Sequence, residues 1–327
     1  MTFPSYQENF IQNFSIPLPK ISKSISQIAT LIDSDDASII EYPHYCCVMH
    51  KARRLAFYSA CNIDGDSIGD VDRSGDFKSE PRIETAFQTG DEFYEGKNDI
   101  FDKGHLTKYE DVMWGTNSTS ELKKLGDITF RFPNCVPQHQ TFNRGMWSSL
   151  EKYILDQEAD KLNLRICLFT GPLLQQSDPV LIEKVNGKSY KVPVLFWKVV
   201  IYSQSNKLYG VAFIMSQKTL VKQSGLVKSN RVMEIITRAM RNIDEPAFMD
   251  YKHNRPYQTR VELIQQLTGI KFKYKDIIFP FKESKPKELI FEEVDIIRPR
   301  SNDEIDRGVV HKGQARSKYV FKNMKLV

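Results

Sequence analysis

Hydrophobic residues in this chain fall mainly into short continuous runs, the pattern of strands whose two faces are both buried. These runs occupy residues 46–49, 55–65, 165–172, 191–202 and 207–215. Polar or glycine-containing turns separate them: a basic turn at 50–54 joins the first two, and a turn at 203–206 joins the last two. The pattern predicts a central antiparallel β-sheet. A shorter run at 128–132 also indicates a strand.

Other stretches have helical spacing. Apolar residues at Ile21, Ile25, Ile28, Leu31 and Ile32 predict a helix near the N-terminus. The segment 143–163 has the most regular apolar stripe and predicts the main helix, and a helix-like run begins at residue 111. Residues 261–268 predict a short helix that ends at a glycine, residue 269.

The expected fold class is therefore α+β, with a central antiparallel β-sheet flanked by helices. We divide the chain into an N-terminal extension with a helix (1–40), a main domain (41–275) and a basic, extended C-terminal tail (276–327). The tail is rich in Lys, Pro and acidic residues, a composition that favours an extended segment over a packed second domain. Residues 308–327 carry five basic residues and no acidic one.

Composition narrows the class of protein without defining it. The 327 residues are 41% hydrophobic and 27% charged, which is ordinary for a globular protein, and 46 basic against 41 acidic residues give a net charge of +5. This mild excess is compatible with a polyanionic partner. No apolar run reaches the roughly 20 residues that a membrane helix needs, and the N-terminus lacks the pattern of a signal peptide or mitochondrial leader. We expect a cytoplasmic protein with no membrane partner.

Cysteine usage agrees with a reducing compartment. The five cysteines are an odd number with no Cys-x-x-Cys spacing, and all lie in apolar, strand-like stretches. Buried free thiols explain this pattern better than a disulfide scaffold.

Two segments carry the candidate chemistry. His105 follows a glycine in a short span with strand-like flanks. Asn143, Trp147 and Glu151 stand at positions i, i+4 and i+8, so on one helix they spread over only about 80° of its surface. Trp147 can then enter the core while the amide and the carboxylate face a cleft. A histidine beside oxygen ligands for a hard cation suits phosphodiester hydrolysis, because the imidazole takes a proton from water and the cation stabilises phosphate charge.

Taken singly, each residue has a structural explanation. His105 could bond a backbone carbonyl beside a turn, and Asn134 could form a turn with its own backbone. Asn143 could cap a helix, and Glu151 could be a solvated helix carboxylate. Their joint occurrence, in order and at spacings that suit a strand–loop–helix unit, favours the functional interpretation.

Three segments together resemble a family signature. They are Asp-Lys-Gly-His-Leu at 102–106, Asn-Cys-Val-Pro-Gln at 134–138, and Asn-Arg-Gly-Met-Trp-Ser-Ser-Leu-Glu at 143–151. The combination resembles the DNA/RNA non-specific endonucleases, the ββα-metal or His-Me finger nucleases that include the endonuclease G type. The likeness covers residues 42–275. It implies a ββα-metal active-site motif on the sheet.

The resemblance also implies roles for matching positions. His105 would be the general base, Asn143 the protein ligand of Mg²⁺ (with Mn²⁺ as a substitute), and Glu151 would orient a water of the ion from the second coordination shell. Asn134 and Gln138 would brace the site by hydrogen bonds. Relatives of this kind cut DNA or RNA with little sequence preference and leave 5′-phosphate and 3′-hydroxyl ends.

The chain departs from the family pattern at two positions. Lys103 stands where the family usually has arginine, which keeps the charge but loses the planar two-pronged grip on phosphate. The arginine that holds the scissile phosphate is not in strict register. Arg73 is our candidate for it, and Arg82 is the alternative.

Two other functions stay open at this point: a nucleic-acid-binding or interaction module that does not cut, and a phosphodiesterase of small nucleotides. The expected partners are DNA and/or RNA. Because an unrestrained nuclease endangers its own cell, we also expect an inhibitor or an activating partner, and a homodimer is a further expected assembly since related enzymes often pair.

Overall fold

The structure is a computed structural model that describes residues 3–22, 27–34, 37–69, 71–73, 75–155, 163–228, 251–252, 255–273, 276–296 and 316–326. Its strands are β1 (Lys20–Ile21), β2 (Ile39–Tyr42), β3 (Tyr45–His50), β4 (Leu55–Asp64), β5 (Phe101–His105), β6 (Cys135–His139), β7 (Arg165–Pro172), β8 (Val180–Leu181), β9 (Leu195–Gln204), β10 (Lys207–Ser216), β11 (Val227–Lys228), β12 (Pro256–Thr259), β13 (Ile270–Lys271), β14 (Ile277–Ile278), β15 (Lys287–Glu288), β16 (Phe291–Ile296) and β17 (Arg316–Phe321). The α-helices are α1 (Thr119–Asp127), α2 (Gln140–Phe142), α3 (Ser148–Tyr153), α4 (Lys218–Gln223) and α5 (Val261–Thr268).

A nine-stranded sheet forms the centre of the fold, as the apolar runs predict. Its order is β15-β12-β10-β9-β7-β4-β3-β2, with β14 added to β10. Every neighbouring pair along this order is antiparallel, and β14 alone pairs in parallel. The β9–β10 turn consists of Ser205 and Asn206, both with positive φ (50° and 55°), the backbone typical of a tight two-residue hairpin. The α+β class with a central antiparallel sheet is confirmed.

Both faces of the central sheet are buried, which explains why its strands are apolar throughout. In β9, Trp197, Val199 and Ile201 belong to the core on one face. The residues that alternate with them, Phe196 and Val200, belong to the core on the other face. Because successive side chains of a strand point to opposite faces, an all-apolar run is what such a strand requires. Lys198 is a charged residue within this apolar run, and its side chain lies on the second face.

The prediction of an N-terminal helix is wrong for the described residues. Residues 23–26 lie outside them. Lys20–Ile21 is a strand paired with Ile270–Lys271, and Ile28 forms an isolated bridge with His50. The amide of Ala29 donates to the carbonyl of Met49 at 2.9 Å. Hydrogen bonds to other segments have therefore replaced those of a helix, while Ile21, Ile28 and Leu31 still pack against the core and Ile32 is exposed. Spacing alone cannot separate these two outcomes.

The expectation of an extended C-terminal tail is wrong for its described residues. Ile277–Ile278 pairs with β10, and Lys287–Glu288 pairs with β12. Phe281, Leu289 and Phe321 are buried. These few apolar residues, separated by Lys, Pro and Glu, extend the sheet even though the composition suggests a solvated segment. At the other end of the chain, Ile11 and Ile16 are also core residues. Neither flank is therefore separate from the folded body where it is described.

Two smaller predictions also change. The strand expected at 128–132 is a short 3-10 turn (Phe132–Asn134) and a single bridge between Lys78 and Arg131. The helix-like run from residue 111 is a 3-10 turn (Glu110–Val112) followed by α1. Helix α5 ends at Gly269, whose φ of 72° is the left-handed conformation expected of a C-terminal glycine. Among the described residues, no helix has the length and apolar character needed to cross a bilayer.

Candidate active site

The candidate residues of the three signature segments lie on one ββα unit, and Arg73 and Arg82 precede it in the chain. Strands β5 and β6 pair antiparallel, with His105 opposite Cys135 and Asp102 opposite Gln138. The chain leaves β6 directly into a helical segment that runs from Gln140 to Leu155. The first, second and third signature segments thus become β5, β6 and this helical segment.

His105 ends β5 and is buried, with 8% of its surface exposed. Its ring lies 4.7 Å from the ring of Phe77 and 4.8 Å edge-on from that of Phe130. Burial lowers the pKa of His105 well below its usual 6.5, and the charges of Arg73 and Lys108 lower it further. The imidazole is therefore neutral near pH 7, and its Nε2 has no hydrogen-bond partner among the described residues. A neutral, unpaired ring nitrogen is the state that a general base requires.

Asn134 is fully buried and holds the segment that follows His105. Its Oδ1 accepts from the amide of Thr107 at 2.9 Å, and its Nδ2 donates to the carbonyls of Thr107 (2.8 Å) and Thr129 (3.0 Å). Its own carbonyl accepts from the amide of Leu106 at 3.0 Å. These four hydrogen bonds fit the brace that the sequence predicts for Asn134.

Gln138 is also fully buried but makes no such brace. Neither atom of its amide has a hydrogen-bond partner among the described residues. The side chain lies against Gly104: a Cβ built on that glycine would stand 2.4 Å from the Gln138 amide carbon and oxygen. Gly104 therefore allows the Gln138 side chain to approach closely, and an unpaired amide is left beside the histidine strand. The hydrogen bond expected of Gln138 is absent from the described part of the chain.

Asn143 begins the second half of the site and is oriented by an acid that sequence reasoning did not select. Its Nδ2 donates to Oδ2 of Asp102 at 2.9 Å. The guanidinium of Arg144 holds the same carboxylate through both oxygens, at 2.9 and 2.6 Å. No hydrogen bond from a described residue to the amide oxygen of Asn143 is found, so that oxygen could accept from water or contact an ion. The motif spacing could have indicated Asp102, since it directly precedes the Lys103–His105 segment on β5.

The helix that carries Asn143 and Glu151 is not continuous, contrary to our expectation. Gly145 has φ −99° and ψ −130°, so the segment kinks between the amide and the carboxylate. Trp147 is fully buried as predicted, and Leu150 is fully buried as well. The i, i+8 spacing therefore does not place the two polar groups on one regular helix face. The structure describes this helical segment only to Leu155, and 156–162 lie outside the described residues.

Glu151 is buried, with 8% exposed, and pairs with a lysine that the sequence analysis did not choose as a site residue. Nζ of Lys198 lies 3.0 Å from Oε1 of Glu151. Burial raises the pKa of the nearby Asp111 to about 6, and the Lys198 charge lowers it while the Glu151 charge raises it. A lysine inside an all-apolar strand was the available signal, because lysine is almost never fully buried without a partner.

The basic candidates differ in their surroundings. The Arg73 guanidinium lies 4.9 Å from the ring of Phe130, which also contacts His105, and the side chain is exposed. Arg82 instead binds Glu80 through Nε (2.7 Å) and Nη2 (3.0 Å) and donates from Nη1 to the Glu41 carbonyl at 2.8 Å. Arg73 is thus beside the histidine with a guanidinium exposed to solvent, whereas Arg82 is committed to a structural ion pair.

Lys103 shares the strand of His105 but forms an ion pair with Asp91. Its ammonium lies 5.9 Å from the ring of Tyr94 and 5.8 Å from that of Phe132. The side chain is one-third exposed, so the charge stays close to the surface near the site.

The donor set fits a hard divalent cation held mainly by water. No group of three or more His, Cys, Asp or Glu side chains that could hold a metal occurs in the described residues. An amide oxygen at Asn143 and carboxylates at Asp102 and Glu151 are oxygen donors, which Mg²⁺ prefers, and this ion keeps several waters. Two buried groups on β5 and β6 have no hydrogen-bond partner among the described residues: the Nε2 of His105 and the side-chain amide of Gln138. Such atoms need water or an ion to satisfy them.

A model of the DNA/RNA non-specific endonuclease family matches residues 26–275, which is most of the chain. The chain therefore belongs to this family.

Among curated proteins, the chain is 32% identical over 225 residues to the uncharacterized protein y4fB of Sinorhizobium fredii (strain NBRC 101917 / NGR234), covering 65% of this chain and 32% of that protein. It is 25% identical over 197 residues to the mitochondrial nuclease EXOG of Mus musculus, covering 57% of this chain and 50% of that protein. The chain thus spans a third to a half of the length of these relatives. Among solved structures, it is similar to a chain of the EndoG/EndoGI complex at 19% identity and a TM-score of 0.48, covering 72% of this chain and 84% of that one.

Proposed function

We propose that this protein is a metal-dependent endonuclease that hydrolyses phosphodiester bonds of DNA, RNA or both. One observation carries the proposal. The buried His105 is neutral with an unpaired Nε2, and it shares a ββα unit with Asn143, whose amide is oriented by Asp102. Membership of the endonuclease family supports the same reaction class.

In this proposal, His105 takes the proton of the water that attacks phosphorus. The ring is neutral before the reaction because Arg73 and Lys108 oppose its protonation. A bound phosphodiester brings negative charge to the same place, offsets those two cations and thereby stabilises the imidazolium as it forms. Arg73 holds the scissile phosphate, and Lys103 adds positive charge on the strand of the histidine. Asn134 keeps the segment after His105 in place.

Asn143 would hold Mg²⁺ through its amide oxygen, and Glu151 would orient a water beside the ion. When bound, Mg²⁺ or its substitute Mn²⁺ neutralises charge on the phosphate and on the departing oxygen. Gln138 fills the space against Gly104 on the strand of His105, and its amide has no hydrogen-bond partner among the described residues.

The proposed products carry 5′-phosphate and 3′-hydroxyl ends, and cleavage has little sequence preference. Groups that grip phosphate and a metal read no base edge, so the described site gives no means of choosing a sequence. We further propose that the protein acts in the cytoplasm, that an inhibitor or an activating partner restrains it, and that it forms a homodimer. Unrestrained cutting of the cell's own nucleic acid motivates the second of these.

The test is conversion of supercoiled plasmid to nicked and linear forms in Mg²⁺ and in EDTA. We expect wild type to cut only with the metal. His105→Ala should lower the rate by about 10²–10⁴-fold, the range of a positioned general base, while DNA binding measured in EDTA persists. His50→Ala, an equally buried histidine at the end of β3 and outside the ββα unit, is the matched control and should cut like wild type.

Cleavage by His105→Ala at the wild-type rate would overturn the assignment of the base. A folded wild type that binds plasmid but cuts in neither Mg²⁺ nor Mn²⁺ would favour the binding module. Faster hydrolysis of a dinucleotide than of plasmid would favour the small-nucleotide phosphodiesterase.

A further inference from the structure

Lys198 is the one charged residue inside the buried part of β9, between Trp197 and Val199. It is 1% exposed. Its Nζ donates to Oγ1 of Thr170 at 2.9 Å, lies 3.0 Å from Oε1 of Glu151 and stands 4.9 Å from the ring of Trp147. Contacts on three sides therefore fix the ammonium at the interface between the central sheet and the helical segment of the ββα unit.

Nζ of Lys198 lies 3.0 Å from Oε1 of Glu151, and no other described residue donates to this oxygen. An ionised carboxylate has about four lone-pair sites, so this pair fixes the position of Glu151 and leaves sites on it that can accept from water. That is the arrangement needed if Glu151 orients a water beside a cation.

Stability alone explains this pair poorly. Replacing a buried ion pair by apolar residues of similar volume is often neutral or stabilising, because the pair must give up its hydration. The neighbours of Lys198 on the same face, Phe196 and Val200, are apolar and fully packed. Asp111 adds a second buried carboxylate influenced by the same lysine. Apolar residues at both positions 198 and 151 would suit this interface, so the presence of a charged pair there indicates a role in the site.

Further polar residues lie between Thr170 and the segment that follows His105. Thr170 lies opposite Ser59 on the neighbouring strand. The hydroxyls of Ser59 and Thr107 are 2.6 Å apart, and Asn134 clamps the backbone of Thr107. One polar layer therefore crosses an otherwise apolar interface, with Glu151 and Lys198 at one end and the segment that follows His105 at the other.

We propose that Lys198 is a positioning residue for the proposed nuclease reaction: it holds the carboxylate of Glu151 in register with Asn143, so that the site retains its divalent cation. The inference rests on the proposed function. It assigns Lys198 no contact with the nucleic acid.

The test is a double-mutant cycle with Lys198→Met and Glu151→Gln. We expect Lys198→Met to raise the half-saturating Mg²⁺ concentration of plasmid nicking by about 10- to 100-fold, as loss of an outer-shell partner does. Glu151→Gln should have a similar effect. Because the lysine acts through the glutamate, the double variant should match Glu151→Gln within about threefold. Effects that multiply in the double variant, or an unchanged Mg²⁺ requirement in Lys198→Met, would overturn the proposal.

A second variant covers the case in which Lys198→Met does not fold, since it leaves Glu151 buried without a partner. Thr170→Val removes one anchor of the ammonium and keeps all charges. We expect it to raise the half-saturating Mg²⁺ concentration about threefold in wild type, with no effect in the Glu151→Gln background. Thr268→Val is the matched control: Thr268 is buried and bonds the Ile264 carbonyl on α5. If both Thr→Val changes raised the half-saturating Mg²⁺ concentration equally, the role of Lys198 would be structural only.

A readout without turnover separates this inference from the proposed function. Mg²⁺ that binds the folded state raises the Tm of wild type. The increment should shrink in Thr170→Val and Lys198→Met, whereas a purely structural loss lowers the Tm equally with and without Mg²⁺. If wild type neither cuts nor responds to Mg²⁺, the proposed function fails. If wild type does both and the variants keep the same increment, only the inference about Lys198 fails.

Discussion

Asn143 donates a hydrogen bond from Nδ2 to the carboxylate of Asp102, across the gap between β5 and the helical segment. The same carboxylate accepts two bonds from Arg144. An amide whose nitrogen is held in this way presents its oxygen in a fixed direction. The metal ligand proposed for this site is thus oriented by an acid from the histidine strand, which couples the two halves of the ββα unit.

Asp102→Asn should weaken retention of the cation. The neutral side chain offers a weaker acceptor to Asn143 and releases Arg144, so the amide oxygen is no longer fixed. We expect the half-saturating Mg²⁺ concentration of plasmid nicking to rise by about 10- to 100-fold. Asp99→Asn, an exposed carboxylate just before β5, is the control and should behave as wild type. Identical Mg²⁺ curves for Asp102→Asn and wild type would show that Asp102 does not orient the ligand.

Arg73 and Arg82 give opposite expectations as holders of the scissile phosphate. Arg73→Gln removes a guanidinium beside the His105 pocket, and kcat/KM should fall by about 10²-fold, the lower range for loss of one charge-stabilising donor. Arg82→Gln leaves Glu80, which is 2% exposed, without its ion-pair partner. That variant should therefore lose stability and keep cleavage. Steady-state kinetics on an oligonucleotide measure the loss of activity, and a thermal melt measures the loss of stability. A larger loss of kcat/KM in Arg82→Gln than in Arg73→Gln would reverse the assignment.

The acid limb of the pH–rate profile should lie below pH 6.5. An unperturbed imidazole base predicts that activity falls below about pH 6.5. Here burial and the charges of Arg73 and Lys108 lower the pKa of His105, so the neutral form persists to lower pH and activity is lost only as pH falls through the lowered value. Arg73→Gln removes one opposing charge and should move the midpoint of kcat/KM upwards.

Lys103→Gln is the control for this profile, because the ammonium of Lys103 pairs with Asp91 and is not among the charges that shift the His105 pKa. It should leave the midpoint in place. A midpoint at or above 6.5 in wild type, or one that Arg73→Gln does not move, would argue against His105 as the titrating base.

The elements that the sequence predicts well are those in which one requirement dominates. Strands β4, β9 and β10 are buried on both faces, and such strands require an apolar run. Their predicted bounds lie close to those observed. The helix predicted around Ile21 and Ile28 is wrong because apolar residues can pack against the core from an irregular backbone as well as from a helix. Partners distant in sequence supply its hydrogen bonds, and spacing carries no information about them.

The same distinction applies to the site. The resemblance indicates His105 and Asn143 because their local motifs are distinctive. Lys198 reaches Glu151 because β9, which carries it, pairs with β7. Asp111 comes near Glu151 through a contact of the segment that follows β5. Both proximities depend on tertiary structure. Gly145 lies within a helical pattern, and its kink is a backbone choice that the spacing of Asn143 and Glu151 does not reveal. Lys198 alone left a local signal, as a charge within an apolar run.

His44 gives a prediction about stability that is independent of catalysis. It is 1% exposed, its ring stacks on Trp114 at 3.5 Å between centroids, and its Nδ1 pairs with the Val112 carbonyl at 2.9 Å. Burial lowers its pKa from 6.5 to about 4. The unfolded chain therefore takes up a proton near pH 6.5 that the folded protein takes up only near pH 4, so the stability that neutral His44 supports is lost as pH falls from 6.5 to 4.

At pH 5 this loss amounts to about 2 kcal/mol, since one pKa unit corresponds to about 1.36 kcal/mol. Asp111 and Asp178, whose pKa values burial raises to about 6, titrate in the opposite sense, so total stability against pH does not isolate His44. The comparison of wild type with His44→Asn isolates the contribution of His44. Asparagine tolerates the positive φ of 67° at this position, and loss of the Trp114 contact lowers stability equally at every pH. The difference in unfolding free energy between wild type and His44→Asn, from urea titrations, should shrink by about 2 kcal/mol between pH 7 and pH 5. A constant difference would mean that folding does not lower the pKa of His44.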